Sequence, residues 1–351
     1  VAESGAVRRA RFDAAARALR GGLETVAAIP GGGMHFTRTL RVGADGAVYV
    51  TAGSSCNVCI EQDPRAAMLR IEPDTGNTEV YAEGLRNTVG FDWQPGTGAL
   101  YGVDNGRDLL GDDFPPDELN RIGRGGFYGW PFWHGDNVPD PQWGDDPAAK
   151  GRTPIPPAYT FGAHVAALSI NFFDPDRAPA GFENAALVGQ HGSWNRSVLS
   201  GYRVSSLHWQ DDGRIVERDF AVGFVQDGEV IGRPVDARPG PDGAVYVSDD
   251  YAGAVYRIAW DAATAAPGPV FAPPRAPAAP GGLGGPGGPG APGAVAPGPA
   301  PASPAASADD ALARLDAAQR QDPRLARGAA LYAQHVCATC HAPGLRGGAK
   351  P

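Results

Sequence analysis

Residues 44–50 read ADGAVYV, and residues 241–247 read PDGAVYV. Each places an Asp-Gly pair, chemistry suited to a tight turn, directly before an alternating run of strand-forming side chains. A third copy of the pattern is Gly96-Thr97-Gly98 ahead of Leu100-Tyr101-Gly102-Val103. Gly46 and Gly98 are 52 residues apart, and Gly98 and Gly243 are 145 apart, close to three such intervals. A four-stranded unit recurring every ~40–50 residues is the signature of a β-propeller. Val7 to Leu19 is compatible with a short helix, but the expectation is a hairpin of Val7–Phe12 with Leu23–Ile29. The recurrences account for about five blades on that period. The expected fold is therefore all-β, a six-bladed β-propeller whose N-terminal blade is missing or incomplete.

The tail reads differently. Cys337-Ala338-Thr339-Cys340-His341 is the C-x-x-C-H motif of covalent haem c attachment. The thiols of Cys337 and Cys340 are spaced to form thioethers to the haem vinyl groups, and His341 is placed as an axial iron ligand. A bare C-x-x-C disulfide or half a zinc site would not require the adjacent histidine. The sequence ends ten residues beyond the motif, and its two methionines, Met34 and Met68, lie far upstream. Val1 is not an initiator, and no signal-peptide apolar region precedes the first strand. The expectation is an internal piece of a longer secreted or periplasmic protein, carrying the truncated start of an all-α cytochrome c domain.

Between these parts lies a composition break. Residues 263–307 are almost wholly Pro, Gly, Ala and Ser. Such a segment cannot bury a core and reads as a disordered linker. It divides a propeller domain, 1–262, from the haem segment, 308–351, and would tether the haem at high effective concentration. The formal charge of −9 argues against nucleic acid as a partner. No run of about 18 apolar residues is present, so nothing in the sequence reads as a membrane span. Cys56-Asn57-Val58-Cys59 is followed by Ile60 and lacks a haem histidine. In an oxidising compartment it reads as a local disulfide, with a redox dithiol or a metal site as the alternatives.

Three stretches concentrate chemically capable residues where propeller loops are expected. They are 33–38, then 85–88 with 103–107 and 117–120, then 189–196 with 232–234. The strings RNTVGFDWQPGTGALYGVDNG (86–106), DELNRI (117–122) and GFYGWP (126–131) resemble the quinoprotein sugar dehydrogenases, which comprise soluble glucose, aldose sugar and sorbosone-type dehydrogenases. HFTRTLRVGADGAVYVTAGSSCNVC (35–59) and GQHGSWNRS (189–197) are most similar to the sorbosone branch, and the resemblance covers roughly 30–260. It implies a six-bladed propeller holding pyrroloquinoline quinone (PQQ) and calcium at the mouth of its channel. It also implies an aldose or sorbosone-type sugar as substrate and a downstream cytochrome or quinone as electron acceptor.

Position by position, the resemblance makes His35 the general base that takes the proton of the sugar C1 hydroxyl as hydride leaves for the quinone. An imidazole with a pKa near 7 suits that task. Arg86 and Asn87 match the pair that contacts the quinone, and a guanidinium there stabilises developing negative charge. Arg196 stands where the family has a cofactor-binding lysine, and Arg233 matches a family arginine. PQQ carries three carboxylates, which basic side chains recognise. Asn105, Gly106 and Arg107 match the calcium loop, a side-chain amide and backbone carbonyls, the oxygen ligands calcium prefers.

The sequence departs from the family in places. Arg107 replaces a proline in the calcium loop, Val235 replaces a second arginine, and the insertion Asp108–Pro116 lengthens the loop before Asp117 and Glu118. Those two acids fit a metal site less well than a turn cap or a bridge between blades. His191 and Trp194 are candidates for the sugar pocket, His164 for the channel, and Trp130-Pro131-Phe132-Trp133 for blade packing. Two other functions compete: a calcium-dependent propeller lactonase, and a non-catalytic propeller that docks a cytochrome.

Overall fold

A computed structural model describes residues 1–62 and 64–259. The linker and haem segments, with Cys337, Cys340 and His341, lie outside the described residues. The described chain is all-β, with one short 3-10 turn at Pro147–Ala149. Its strands form a propeller-like arrangement of five blades in chain order.

The first blade is a three-stranded sheet of Ala2–Glu3, Ala6–Asp13 and Ala18–Ala28. The N-terminal segment is thus a hairpin, not a helix. The second holds Leu40–Val42, Val48–Ala52, Ala67–Ile71 and Thr78–Glu83, with Gly126–Phe127 added in parallel at its edge. Thr88–Trp93, Leu100–Asp104, Pro116–Ile122 and Tyr159–Ala163 make the third. Ala167–Phe172, Ala185–Gln190, Arg203–Trp209 and Ile215–Ala221 make the fourth. The fifth contains Pro234–Pro239, Val245–Asp249 and Ala254–Ile258. Residues 249–254 belong to a second compact unit, where Asp249 Oδ1 accepts the amides of Tyr251 and Ala252.

The repeated sequence makes a repeated turn. Gly46 and Gly243 take φ of 79° and 78°, conformations glycine adopts without the Cβ penalty. Asp45 and Asp242 each accept a hydrogen bond from the tyrosine four residues on, Tyr49 at 3.1 Å and Tyr246 at 2.9 Å. Each also accepts from an arginine on the adjoining strand, Arg70 or Arg257.

Apolar clusters sit between successive blades. Val7, Ala27 and Ile29 pack on Val50, Leu69 and Ile71. Tyr49, Met68 and Leu85 pack on Phe91, Leu100 and Ile122. Val103, Leu119 and Phe161 pack on Ile170, Ala186 and Leu207. Phe173 and Leu187 pack on Ala237, Val245 and Val247. The middle blades bury both faces against neighbours, so their strands can be apolar on both sides, as in Ala185–Gln190, where every residue is buried.

The first strands of successive blades are joined by polar contacts. Arg41 pairs with Asp92 at 3.2 Å and donates to Asn171 Oδ1 at 2.5 Å. Asn171 in turn donates to Asp236 at 2.7 Å. Four blades are thereby tied by one side-chain chain.

Phe91 is fully buried between the second and third blades. Phe91→Ala is expected to cost about 3–5 kcal/mol in denaturant unfolding. Phe12→Ala, at an exposed site, is the control and should change stability little.

Candidate active site

Loops from the second, third, fourth and fifth blades converge on a cavity of about 250 Å³ lined by His35, Arg86, Asn87, Asn105, His191 and Arg233 among others. Gly106, Asp108, Asp117, His164, Trp194 and Asn195 complete much of the wall.

His35 is held by the segment that follows the second blade's Val48–Ala52 strand. Its Nδ1 lies 3.0 Å from the Ser54 carbonyl oxygen and 2.8 Å from Ser54 Oγ. A carbonyl only accepts, so Nδ1 carries the proton and Nε2 keeps the basic lone pair. Burial, then the positive charge of Arg86, lowers the His35 pKa from 6.5 to about 4. The imidazole is therefore neutral at pH 7, as a proton acceptor must be, but it is a weaker base than a residue poised near pH 7. The expected match to neutral pH is corrected to that extent. Gly53 lets the two walls meet. A Cβ there would lie 2.6 Å from His35 Cβ and 2.8 Å from Asn87 Oδ1.

Arg86 is 4% exposed. Its Nε and Nη2 donate to the carbonyl and Oδ1 of Asn57 at 2.9 and 2.8 Å, and Nη1 donates to the Asn105 carbonyl at 3.0 Å. Burial pulls its pKa below the usual arginine value, while Asp108, Asp104 and Asp117 push it back up. Asn87 is fixed through its backbone N–H, which donates to Asp104 Oδ1 at 2.8 Å. Arg233 donates to the carbonyls of His191 and Gly192 at 3.1 and 2.7 Å and lies over the Tyr202 ring.

The loop 105–107 is clamped on three sides. Asn105 Nδ2 donates to the Ala167 carbonyl at 2.7 Å, and the Gly106 N–H donates to Asp117 Oδ1 at 2.8 Å. Arg107 pairs with Asp140 at 2.7 Å, both side chains buried. The ring of a proline would preset this loop locally; here a buried ion pair does it from a distance. Asp117 Oδ2 also accepts the Ala166 N–H at 2.7 Å. Asp117 therefore bridges loops of the third and fourth blades, the structural role expected of it. His164 and Ala166 take φ of 60° and 52°, unusual for residues with a Cβ. Asp117 and a hydrogen bond from His164 Nε2 to the Gly111 carbonyl, 2.9 Å, hold that strained turn against the cleft.

Arg196 does not line the cleft. Its nitrogens go to the carbonyl of Asp112 at 2.6 Å, to Asp113 Oδ1 at 2.9 Å and to the carbonyls of Ala163 and Val198. The acidic insertion 108–116 has captured it, and its neighbour Asn195 faces the cleft instead. Trp194 stands at the wall with 72% of its surface exposed. Trp130 and Phe132 are buried, as blade packing requires. Cys56 and Cys59 are joined in a disulfide.

Beneath the cleft is a second, small cavity of about 20 Å³ lined by Arg86, Asp104, Arg107, Glu118, Trp130 and His134. Burial raises the carboxyls of Asp104 and Asp117 to about 6. Burial and the nearby Asp104 raise Glu118 to about 8. Asn120 donates to Glu118 Oε2 at 3.1 Å while its own Oδ1 is buried without a partner. Turning that amide over lets Oδ1 accept the hydroxyl of a neutral Glu118. Burial would raise Asp140 as well, but His134, the Gln142 N–H and Arg107 hold it below the usual carboxylate range. Asn57, Asp104, Asp140 and Gly53 were not legible as site residues: the first two and Gly53 lie inside quoted motifs without a role of their own, and each acts on a residue distant in sequence.

The blade order and this cleft define a propeller-type enzyme scaffold. The chain matches the glucose / sorbosone dehydrogenase family over residues 2–257 and belongs to that oxidoreductase family. An uncharacterized protein of Borreliella burgdorferi is 35% identical over 233 residues, 65% of this chain and 61% of that protein. An uncharacterized Synechocystis protein is 24% identical over 62% of this chain and 43% of its own length. The chain thus spans less than two thirds of the length of each of these relatives. Among solved structures, the holo pyranose dehydrogenase PQQ domain of Coprinopsis cinerea superposes with a TM-score of 0.60 at 21% identity, covering 73% of this chain and 77% of that one. The calcium structure of a Trichoderma reesei carbohydrate-active enzyme of family AA12 gives 0.63 at 20% identity, covering 73% and 76%. The apo aldose sugar dehydrogenase of Escherichia coli gives 0.52 at 20% identity, covering 72% of each chain. At these identities the superpositions establish the shared fold.

Two titrations check the electrostatics. In cofactor-free protein, the His35 ring followed by NMR should stay neutral down to about pH 4; a midpoint near the ordinary 6.5 would contradict the burial described. Glu118 is raised from 4.5 to about 8, so the folded state holds a proton that the unfolded state releases across that window. Stability must then fall as pH rises through it. Calcium-free Glu118→Gln is expected to flatten part of that fall, gaining melting temperature over wild type at pH 9 and little at pH 5.

Proposed function

We propose that this chain is a quinoprotein sugar dehydrogenase, oxidising an aldose or sorbosone-type sugar with PQQ and calcium. The observation that carries the reading is the convergence of a neutral imidazole, His35, and the guanidinium groups of Arg86 and Arg233 on one cleft. The family match supports it, as do structural neighbours described as a PQQ domain and as a calcium structure.

The residues fit the groups. Arg86 and Arg233, with the amides of Asn87 and Asn105, supply the cations and hydrogen-bond donors that a planar tricarboxylate needs. Arg196 is left out of that set by its bonds to the 112–113 loop. The oxygens of the Asn105 side chain and of the Gly106 and Arg107 carbonyls are hard ligands of the kind calcium takes. PQQ, when bound, supplies a two-electron acceptor for hydride. His35 Nε2 accepts the proton of the C1 hydroxyl, with Nδ1–H anchored on Ser54 so that the ring cannot turn. Arg86 holds positive charge where negative charge develops. Trp194 offers an exposed apolar face for a sugar ring.

The same reading extends to parts the described residues do not reach. A ring of six blades closes the propeller, residues 263–307 are the tether, and Cys337, Cys340 and His341 hold haem c as the electron exit. A disulfide and covalent haem together fit a periplasmic or secreted setting, with a further cytochrome or quinone as acceptor. The lactonase alternative is disfavoured because the cleft carries the guanidinium groups of Arg86 and Arg233, which suit an anionic quinone and not a carboxylate-only metal site.

The test uses the full-length protein. Apo protein is given PQQ and calcium, aldoses are supplied, and reduction of the haem α-band is followed. Reduction should need both additions. His35→Ala should lower turnover by roughly 10²–10⁴-fold. A protein that neither binds PQQ nor reduces its haem would leave the docking propeller as the better account.

A further inference from the structure

Arg86 is the deeply buried cation of the cleft, and of the two residues whose oxygens hold it, Asn105 lines the cleft and Asn57 does not. Asn57 accepts from Arg86 through both its backbone carbonyl and its Oδ1. The same Oδ1 accepts the Asp108 N–H at 2.9 Å, and Asn57 Nδ2 donates to the Asp108 carbonyl at 3.2 Å. Acceptor and donor ends of one amide are thus both in use. A carboxylate would face the Asp108 carbonyl with no donor, and an apolar side chain would leave one edge of the guanidinium unmet.

Asn57 sits inside the Cys56–Cys59 disulfide, whose half-cystines are three residues apart. A ring that short leaves its backbone few conformations. The preceding residue pair is tied to it, since Ser54 Oγ donates to the Cys56 carbonyl at 2.8 Å. Ser54 also holds His35 Nδ1. The disulfide loop and the Ser54 bonded to its first residue therefore support the cation and the base together.

We propose that Asn57 is a positioning residue that sets the plane of the Arg86 guanidinium, and that the Cys56–Cys59 bridge keeps Asn57 in place. The proposal rests on the reading of Arg86 as the group that contacts the cofactor.

The first measurement needs no cofactor. Phenylglyoxal modification of Arg86 in the apo protein is mapped by peptide mass spectrometry. Asn57→Ala should react about tenfold faster than wild type, the effect of losing roughly one charge-assisted hydrogen bond. Asn57→Asp, which keeps the acceptor for Arg86, should restore protection. The Cys56→Ser/Cys59→Ser variant leaves Asn57 in the sequence and should shift reactivity in the same direction as Asn57→Ala. The second measurement is PQQ affinity by fluorescence titration, together with kcat and KM. Asn57→Ala should weaken PQQ binding about tenfold and lower kcat while KM for sugar stays within about twofold. In an Arg86→Ala background the same change should alter PQQ affinity by less than about twofold, because the partner it acts through is gone. Unchanged Arg86 reactivity in Asn57→Ala, or a fully additive loss in the double variant, would overturn the proposal. A wild-type protein that binds no PQQ would defeat the functional reading, while the reactivity comparison would still decide whether Asn57 positions Arg86.

Discussion

A guanidinium removed from water must find acceptors for its donors, and the cleft is organised around that demand at Arg86. An unpaired buried charge costs several kcal/mol. Arg86 meets the demand with oxygens from two separate segments, Asn57 of the second blade's loop and Asn105 of the third's. Asp108 lies 3.6 Å from Nη2 and supplies counter-charge. Satisfying one side chain therefore fixes the relative position of the 54–59 loop, the 105–108 loop and the insertion. His35 and the calcium-type loop follow, since Ser54 belongs to the first of these and Gly106 to the second.

The surrounding acids show how such a cation is kept at a working site. Asp104 and Asp117 spend their oxygens on backbone N–H groups and Thr88, so they brace loops as well as balance charge. Glu118 is pushed furthest toward neutrality, by burial first and then by the nearby Asp104. Arg107 and Asp140 form a separate closed pair with His134 on the same carboxylate oxygen. The cleft thus keeps Arg86 and Arg233 as its cations while most of the acids behind it are engaged elsewhere.

Blade packing supplies the rigidity this requires. Each apolar cluster belongs to two sheets, so neither the second, third nor fourth blade can shift without opening two interfaces. The polar chain from Arg41 through Asp92 and Asn171 to Asp236 ties the first strands of four blades.

The fold was legible because its cause is local. An Asp-Gly turn before Val-Tyr-Val dictates a positive φ, a side-chain cap and an alternating strand within a few residues, and the recurrence of that unit implies stacked blades. His35, Arg86, Asn87, Asn105 and Arg233 were legible as a set through motif resemblance, and the structure gathers them on one cleft. What only the tertiary structure decided is which partners those side chains find. Arg196 reads as a cofactor cation until the insertion folds back and presents Asp112 and Asp113. Arg107 reads only as the loss of a proline from its loop until Asp140, 33 residues on, pairs with it. Asn57 carries no signal beyond lying between two cysteines. Local dihedral preference is written in consecutive residues, whereas the partner of a buried charge is set by which distant backbone oxygen or carboxylate the closed fold brings within hydrogen-bond reach.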